Sequence, residues 1–234
     1  MKALESDAPL IVYIDIKSPY AFVAIKPILA MEEELGTQFD WRPLTLDIPS
    51  YLGSAKKNKG KVVESTRSGS QWTMVKYAYA DARRYAERQG HMLKGTEKIW
   101  DSSIANIAIL WVAKTARDRM GEYLNIVYPP FWRRELDIED VSVVATCLKR
   151  AGADPTGFDA FQKGEGRTIH DALQPQLHPA GIYGVPTFVF DGMILFGREH
   201  IPYVRWHLMG GAGSPPDIAY GITENGLPPG EPPC

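Results

Sequence analysis

The chain has 234 residues, of which 44% are hydrophobic and 23% charged. This composition is usual for a folded globular protein, so a disordered or fibrous chain is excluded. The 26 basic and 28 acidic residues give a net charge of −2, which provides no overall positive field for a polyanion. We therefore expect one or two domains with a sizeable core and no nucleic-acid partner.

The N-terminal residues include Glu5 and Asp7 and lack the uninterrupted apolar run of a secretory signal. The longest apolar stretch further along, residues 104–113, contains Asn106. It is shorter than the about 20 residues that a membrane span needs. These features predict a cytoplasmic protein with no membrane partner.

The chain has two cysteines, too few for a disulfide framework. Cys147 lies in an apolar helical stretch and predicts a buried thiol. Cys234 is the last residue and predicts an exposed thiol. Neither belongs to a paired redox motif.

The first part of the chain predicts a strand, a tight turn and a helix. Residues 10–16 are apolar and β-branched, as in a central strand covered on both faces. Ser18 and Pro19 are suited to the N-cap and first position of a helix over 20–35. Residues 38–43 predict a second strand, parallel to the first in a βαβ unit.

The middle of the chain predicts helices and no strand. Residues 47–68 contain Pro, Gly and a cluster of lysines, which predict a polar loop or a short helical excursion. Apolar residues at helical spacing predict helices at 70–88, 102–120, 122–132, 139–151, 158–162 and 168–182.

Strands return near the end of the chain. Residues 187–190 and 193–196 flank Asp191-Gly192, which is typical of a two-residue hairpin turn, and a helix follows at 200–208. The pattern predicts an α/β layer built from residues 1–48 and 165–209, with an inserted all-helical domain over 49–164. Residues 210–234 contain six Gly and six Pro, which predict an extended tail.

Two short segments point to chemistry. Residues 18–21 (Ser-Pro-Tyr-Ala) occupy the first strand-to-helix turn, and residues 184–187 (Gly-Val-Pro-Thr) precede a strand. A proline at that place suits a cis peptide bond, whose neighbouring backbone groups stay free for an extended peptide. The pair resembles the thioredoxin superfold, in which a Cys-x-x-Cys turn faces a Val-cis-Pro-Thr segment.

The chain resembles more specifically the DsbA-like branch, and within it the 2-hydroxychromene-2-carboxylate isomerases and kappa-class glutathione transferases. Residues 15–24 (Asp-Ile-Lys-Ser-Pro-Tyr-Ala-Phe-Val-Ala) are similar to the family's Asp-x-x-Ser-Pro-(Tyr/Phe)-x-(Tyr/Phe)-x-Ala pattern. Residues 183–188 (Tyr-Gly-Val-Pro-Thr-Phe), 196–201 (Phe-Gly-Arg-Glu-His-Ile) and 131–138 are similar to later family segments. The resemblance covers about 10–208.

This resemblance implies a thioredoxin-like α/β fold with an inserted helical domain, and glutathione as the cofactor. It also implies a homodimeric isomerase or transferase whose substrate is a small aromatic or unsaturated carboxylate. Ser18 is then the catalytic residue that stabilises the glutathione thiolate. The Val185 main chain, next to Pro186, pairs with the cysteinyl part of glutathione.

The resemblance places three further residues at glutathione. Arg198 and Glu199 hold the γ-glutamyl end, and Asn58 contacts the ligand near its thiol. Glu199 stands where the family has Asp, and His200 stands where it has Arg, so this end of the site departs from the family pattern.

The chemistry at Ser18 is consistent with this function. A hydroxyl forms no disulfide, and Ala21 occupies the place of the second cysteine, so dithiol exchange at this turn is excluded. A thiolate here gains about 0.3–2 kcal/mol from the helix dipole and about 1.5–3 kcal/mol from a charged hydrogen bond. Together these lower a thiol pKa of about 8.5 by roughly one to three units.

Other interpretations stay open from the sequence. Ser18 is also a plain N-cap, and the lysines around Asn58 either attract a carboxylate substrate or form a solvated surface. Trp72, Tyr79 and Trp111 are expected in the core rather than in a substrate pocket. The five histidines lack a metal-ligand spacing. The alternative functions are a DsbA-like thiol oxidoreductase acting through a lone cysteine, and a non-catalytic peptide-binding module.

Overall fold

The computed structural model describes residues 1–216. The predicted tail from residue 217 onward, with the predicted exposed thiol of Cys234, lies outside the described residues. Within residues 1–216, no helix is long and apolar enough to cross a membrane.

The chain forms six strands and nine helices within the described residues. The strands are β1 (Ile11–Ile14), β2 (Asp40–Pro43), β3 (Ala55–Asn58), β4 (Lys61–Ser65), β5 (Thr187–Phe190) and β6 (Met193–Phe196). The helices are α1 (Pro19–Leu35), α2 (Ile48–Leu52), α3 (Gly69–Arg88), α4 (Ser103–Thr115), α5 (Met120–Trp132), α6 (Val141–Arg150), α7 (Phe158–Lys163), α8 (Glu165–Leu177) and α9 (Ile201–Leu208). Short 3-10 turns lie at Arg117–Arg119 and Arg198–His200.

The main sheet has four strands in the order β2-β1-β5-β6. β1 is parallel to β2 and antiparallel to β5, and β5 and β6 form an antiparallel hairpin. All four residues of β1 are buried, as predicted for a central strand. The predicted βαβ unit and the final hairpin are thus confirmed.

The first helix begins and ends as its sequence predicts. Ser18 is its N-cap, with Pro19 as its first residue. At its other end, the Gly36 amide bonds back to the carbonyls of Glu32 and Glu33, and Gly36 has a φ of 58°. This left-handed conformation suits glycine because it has no Cβ to clash.

The segment between the two halves of the sheet is mostly helical but contains a β-hairpin that the sequence does not predict. Residues 47–68 form α2, the expected short helix, followed by β3 and β4. Lys59 and Gly60 make the turn with φ values of 47° and 79°. Four of the nine residues in the two strands are charged, and β4 is exposed throughout, including Val62 and Val63, so burial produces no apolar alternation of the kind that identifies a strand.

Two predicted helices have different bounds in the structure. The helix predicted over 102–120 stops at Thr115, because Ala116 adopts φ −157° and ψ 54°, and a new helix begins at Met120. The helix predicted over 168–182 covers Glu165–Leu177 instead. It is followed by a tight turn that bonds the Ile182 amide to the Leu177 carbonyl.

One apolar core runs from the sheet into the helical segment. α1 packs against α3 and α5, and α4 packs against β2. The turn between β1 and α1 is therefore enclosed by helices that are distant in sequence. The domain boundaries predicted at residues 49 and 164 stay a prediction.

Candidate active site at the first strand-to-helix turn

Ser18 lies in the turn between β1 and α1 and is only 4% exposed. Its Oγ accepts a hydrogen bond from the Ala21 amide at 3.2 Å, and its own amide donates to the Asp15 carbonyl at 2.9 Å. The hydroxyl hydrogen has no acceptor among residues 1–216. Ser18 therefore caps the helix as an acceptor, and its hydroxyl keeps one hydrogen that is not donated within the described residues.

The turn is held by Asp15, which is fully buried. One carboxylate oxygen accepts from the Ser102 hydroxyl at 2.5 Å and from the Asn106 amide at 3.1 Å. The other accepts from the Leu46 amide at 2.8 Å. Buried carboxylates need such donors to replace the lost water. Asp15 thus bonds the turn to two separate parts of the chain, the start of α4 and the segment after β2.

Two more groups interact with Asp15, one with its backbone carbonyl and one with its carboxylate. The buried Tyr128 hydroxyl donates to the Asp15 carbonyl at 3.0 Å, the same oxygen that accepts from the Ser18 amide. The Lys17 ammonium lies 3.7 Å from the Asp15 carboxylate, and its side chain is 7% exposed. A cation compensates the buried carboxylate next to Ser18.

The Val185–Pro186 peptide bond is cis, as the sequence predicts. Tyr13 in β1 pairs with Thr187 in β5, so the same register, continued by two residues, brings Val185 level with Asp15. Val185 and the Ser18 turn therefore lie at the same edge of the sheet. The amide and carbonyl of Val185 make no hydrogen bond within the described part of the chain.

An exposed aromatic pair lies beside this segment. The rings of Tyr183 and Phe196 are 5.1 Å apart, and both side chains are exposed. Gly184 lies under Phe196, where a Cβ would come within 2.5 Å of the ring. The pair gives the site an apolar border next to the free backbone groups of Val185.

Arg198 and Glu199 lie in the 3-10 turn that contacts α1. The Arg198 guanidinium stacks 3.5 Å from the centroid of the Tyr85 ring, and its buried Nε has no hydrogen-bond partner within residues 1–216. Glu199 is exposed, and its carboxylate lies against the backbone of Gly197. Arg198 is thus held in place with an unused donor.

Tyr20, two residues after Ser18, contacts Asp81 of α3. Neither residue was predicted as a site residue. The Tyr20 hydroxyl donates to the Asp81 carboxylate at 3.2 Å, which joins α1 to α3. Burial, followed by the Asp81 charge, raises the pKa of Tyr20 well above its ordinary value. Tyr20 therefore stays a neutral hydrogen-bond donor.

Asn58 is the exposed last residue of β3, at the tip of the hairpin. Among residues 1–216, the groups that bond to the Ser18 turn come from α4, α5 and the segment after β2, and none from this hairpin. The strand register thus places Val185 and the Ser18 turn at the same edge of the sheet, whereas Asn58 lies in a hairpin that makes no hydrogen bond to this turn within residues 1–216.

Cys147 is buried in α6, as predicted, and its burial raises the pKa of its thiol. Reactive cysteines are partly exposed and have a lowered pKa. Cys147 has the properties of a structural residue. No group of three metal-ligating side chains occurs within residues 1–216.

The DsbA-like thioredoxin domain model matches residues 9–208. The chain therefore belongs to the DsbA-like thioredoxin family, which confirms the predicted fold class. In this chain the strand-to-helix turn of that fold has Ser18 and Ala21 instead of a cysteine pair.

The chain is similar to an isomerase of this family. The 2-hydroxychromene-2-carboxylate isomerase of Sphingobium xenophagum is 22% identical over 198 residues, which cover 84% of this chain and 96% of that protein. A solved structure of a 2-hydroxychromene-2-carboxylate isomerase has a TM-score of 0.64 at 18% identity, covering 86% of this chain and 94% of that one. The resemblance seen in the motifs is thereby confirmed.

A solved structure that is named for disulfide chemistry has a similar fold. A putative protein disulfide isomerase from Nitrosomonas europaea has a TM-score of 0.64 at 11% identity, covering 89% of this chain and all of that one. At this identity the likeness concerns the fold alone.

Proposed function

We propose that the protein is a glutathione-dependent isomerase or transferase that acts on an aromatic or unsaturated carboxylate. The observation that carries the proposal is the arrangement of Ser18. Its Oγ accepts from the Ala21 amide, so its hydrogen is left for an anion at the N-terminus of α1. The named isomerase relative supports the same reaction class.

Three further residues have groups that suit the parts of glutathione. Val185 has an amide and a carbonyl that make no hydrogen bond within residues 1–216, so both can pair with the backbone of a short peptide, as a strand edge does. The Arg198 guanidinium is a candidate for a carboxylate of glutathione, because guanidinium groups suit carboxylates and its Nε has no hydrogen-bond partner within residues 1–216. Glu199 offers an exposed carboxylate to an amine.

When bound, glutathione supplies a thiolate that adds to an electrophilic carbon and, in an isomerisation, leaves again without being consumed. Ser18 donates its hydroxyl hydrogen to the sulfur anion, and the N-terminus of α1 adds its dipole. Asp15 and Tyr128 keep the turn in the geometry that aims this donor. Lys17 adds a positive charge beside the same turn.

Calorimetric titration with glutathione tests the proposal. The wild-type protein is expected to bind with a Kd of ~1 mM or tighter. Ser18→Ala is expected to weaken binding about tenfold at neutral pH, since it removes a charged hydrogen bond. Ser68→Ala is the matched control, because Ser68 caps α3 through its side chain but does not contact the turn. No binding by the wild type contradicts the proposal.

The same sample distinguishes isomerase from transferase. In an isomerisation the free glutathione concentration stays constant while the carboxylate substrate changes its spectrum. In a conjugation the concentrations of free glutathione and of the carboxylate substrate fall together. We also propose that the protein is a homodimer, which sedimentation velocity of the full chain tests.

The unpaired backbone of Val185 also favours the second candidate, a peptide-binding module without catalysis. This candidate predicts equal binding of glutathione and of its S-methyl derivative, because the sulfur anion plays no part. The thiol oxidoreductase alternative requires that Cys147 or Cys234 be reactive. Burial raises the pKa of the Cys147 thiol, which is unlike a reactive cysteine, and Cys234 lies outside the described residues. Measurable insulin reduction would favour that alternative.

A further inference from the structure

His170 is a buried titratable residue that the chemistry at Ser18 does not use. It lies in α8 and is only 4% exposed. Its Nδ1 is 2.7 Å from the Asp171 carboxylate, and its Nε2 is 2.8 Å from the Thr45 hydroxyl. Because a carboxylate accepts hydrogen bonds, Nδ1 carries a hydrogen, and Nε2 of the neutral ring accepts one from Thr45. The imidazole thus joins the surface of α8 to the segment after β2.

Helix α8 holds Thr45 at two points. Besides the bond between its hydroxyl and His170, the Thr45 amide donates to the Gln174 side chain at 2.9 Å. His170 and Gln174 are four residues apart and therefore share one face of α8. The next residue after Thr45, Leu46, donates its amide to the Asp15 carboxylate at 2.8 Å. The position of Thr45 thus decides where one of the donors to Asp15 lies.

The Thr45 side chain also belongs to the hydrogen-bond network of Asp15. Asn106 donates from Nδ2 to the Thr45 hydroxyl at 2.7 Å and to the Asp15 carboxylate at 3.1 Å. The Asp15 carbonyl in turn accepts from the Ser18 amide at 2.9 Å. A continuous path of bonded groups therefore leads from His170 to the Ser18 turn.

The number of available hydrogens determines the direction of the bond between Thr45 and His170. The Thr45 oxygen accepts from Asn106, and Nε2 of His170 is the acceptor of the hydroxyl hydrogen in the described part of the chain. A second proton on the imidazole turns Nε2 into a donor. The Thr45 hydrogen then loses this acceptor, and both neighbours donate to one oxygen. Neutral His170 therefore satisfies Thr45, whereas the imidazolium does not.

The charged group in contact with the imidazole is Asp171, and Arg167 of the same helix lies 3.7 Å from its carboxylate. Helix α8 packs against α4 and α7. The charged residues of the elements around His170 are Lys114 of α4, Asp159 and Lys163 of α7, Asp40 and Arg42 of β2, and Asp47 after β2. All of these except Asp47 have ion-pair partners. Asp171 thus favours a second proton on His170, and the bond from Thr45 opposes it.

We propose that His170 is a positioning residue of the Ser18 site. In its neutral form it fixes Thr45, and the bonds from Thr45 to the Asp15 network then keep the Ser18 turn in one geometry. A second proton on His170 reverses the bond to Thr45 and loosens the turn. The effect on glutathione rests on the proposed function, whereas the effect on the turn itself does not.

NMR of the full chain without any thiol tests the coupling between His170 and the turn. Between about pH 5 and 8, the amide resonances of Ser18 and Ala21 are expected to shift with the same midpoint as the His170 ring. His170→Gln, whose amide oxygen accepts at any pH, is expected to remove this step. His91 is a second histidine near α1, since its ring lies 5.3 Å from that of Phe22. His91→Gln is therefore the control, and it is expected to retain the step.

Calorimetry with glutathione at pH 8 tests the consequence for binding. His170→Leu and Thr45→Val each remove the bond between the two side chains, and each is expected to raise the Kd about threefold. His170→Gln can keep that bond and is expected to restore most of the wild-type affinity. His178→Leu replaces an exposed histidine at the end of the same helix. As the matched control, it is expected to leave the Kd within about twofold of the wild-type value.

The two measurements separate the positioning role from the proposed function. If the Ser18 and Ala21 amides follow His170 but the wild type does not bind glutathione, the positioning role stands and the proposed function fails. The positioning role is overturned if these amides do not shift, or if they keep the step in His170→Gln. It is also overturned if the wild type binds glutathione and Thr45→Val binds it equally well.

Discussion

The Ser18 turn and the β3–β4 hairpin are both short polar connections, but they differ in burial and in their hydrogen bonds to the rest of the protein. The turn is buried, and Asp15 bonds it to α4 and to the segment after β2. In the hairpin, all of β4 and two of the four residues of β3 are exposed, and few backbone bonds, such as that from the Lys57 amide, join it to the rest of the protein. The turn is therefore suited to aim one donor, whereas the hairpin displays charges.

The largest effect is expected at the centre of the Ser18 turn. Asp15→Ala removes the acceptor of several buried donors and the partner of the nearly buried Lys17. Because such a change leaves polar groups unpaired, the free energy of unfolding in urea should fall by about 3–5 kcal/mol. Asp118→Ala removes a carboxylate that is 66% exposed and paired with Arg119. It should cost less than about 0.5 kcal/mol. Equal losses would show that the network does not hold the turn.

The pKa of a cysteine introduced at position 18 measures how strongly the turn stabilises an anion. In Ser18→Cys, the thiol lies at the N-terminus of α1, where a helix lowers a cysteine pKa below about 8.5. Cys147, in contrast, has its pKa raised by burial. In a Cys234→Ser background, iodoacetamide should modify the new cysteine with a midpoint about one to two pH units below 8.5, because only the thiolate reacts. A midpoint at or above 8.5 would contradict an anion-stabilising turn.

The contribution of Tyr128 to glutathione binding can be separated from its contribution to stability by comparison with Tyr123, another buried tyrosine. Tyr128 donates to the Asp15 carbonyl at 3.0 Å, and Tyr123 donates to the Ala105 carbonyl at 2.9 Å. Both are buried, so the change to Phe should lower the free energy of unfolding by about 1 kcal/mol in each case. Only Tyr128→Phe is expected to weaken glutathione binding, because only that bond positions the Ser18 turn. Equal effects on glutathione would refute this positioning role.

The sequence predicts the parts of the fold and site that depend on neighbouring residues. Ser18 and Pro19 define their helix start locally, and the apolar run of β1 defines its burial. The acceptor role of Asp15 was not predictable in this way. Its donors Ser102 and Asn106 are about ninety residues away in the chain, and no spacing in the sequence connects them.

The surroundings of Trp72 and the β3–β4 hairpin were not predictable, because they too depend on residues that are not neighbours in the sequence. Tyr79 packs against the core, as predicted, whereas Trp72 lines a cavity. Helical spacing places both residues on one face of α3, but it does not tell what covers each part of that face. The hairpin was missed because β4 has five exposed residues, so burial leaves no pattern in its sequence. Its pairing depends on the backbone turn at Lys59 and Gly60.

The smallest effect is expected at the tip of the hairpin. Asn58→Ala changes an exposed side chain and should alter the free energy of unfolding by less than about 0.5 kcal/mol. The same variant decides the prediction that Asn58 contacts glutathione, since that contact requires a loss of affinity in calorimetry. Lys61→Ala, its cross-strand partner, is the control for a change in the hairpin itself. If Asn58→Ala weakens binding while Lys61→Ala does not, the hairpin extends to the Ser18 site when glutathione binds. If neither does, the site is confined to the buried turn and the segment around Val185.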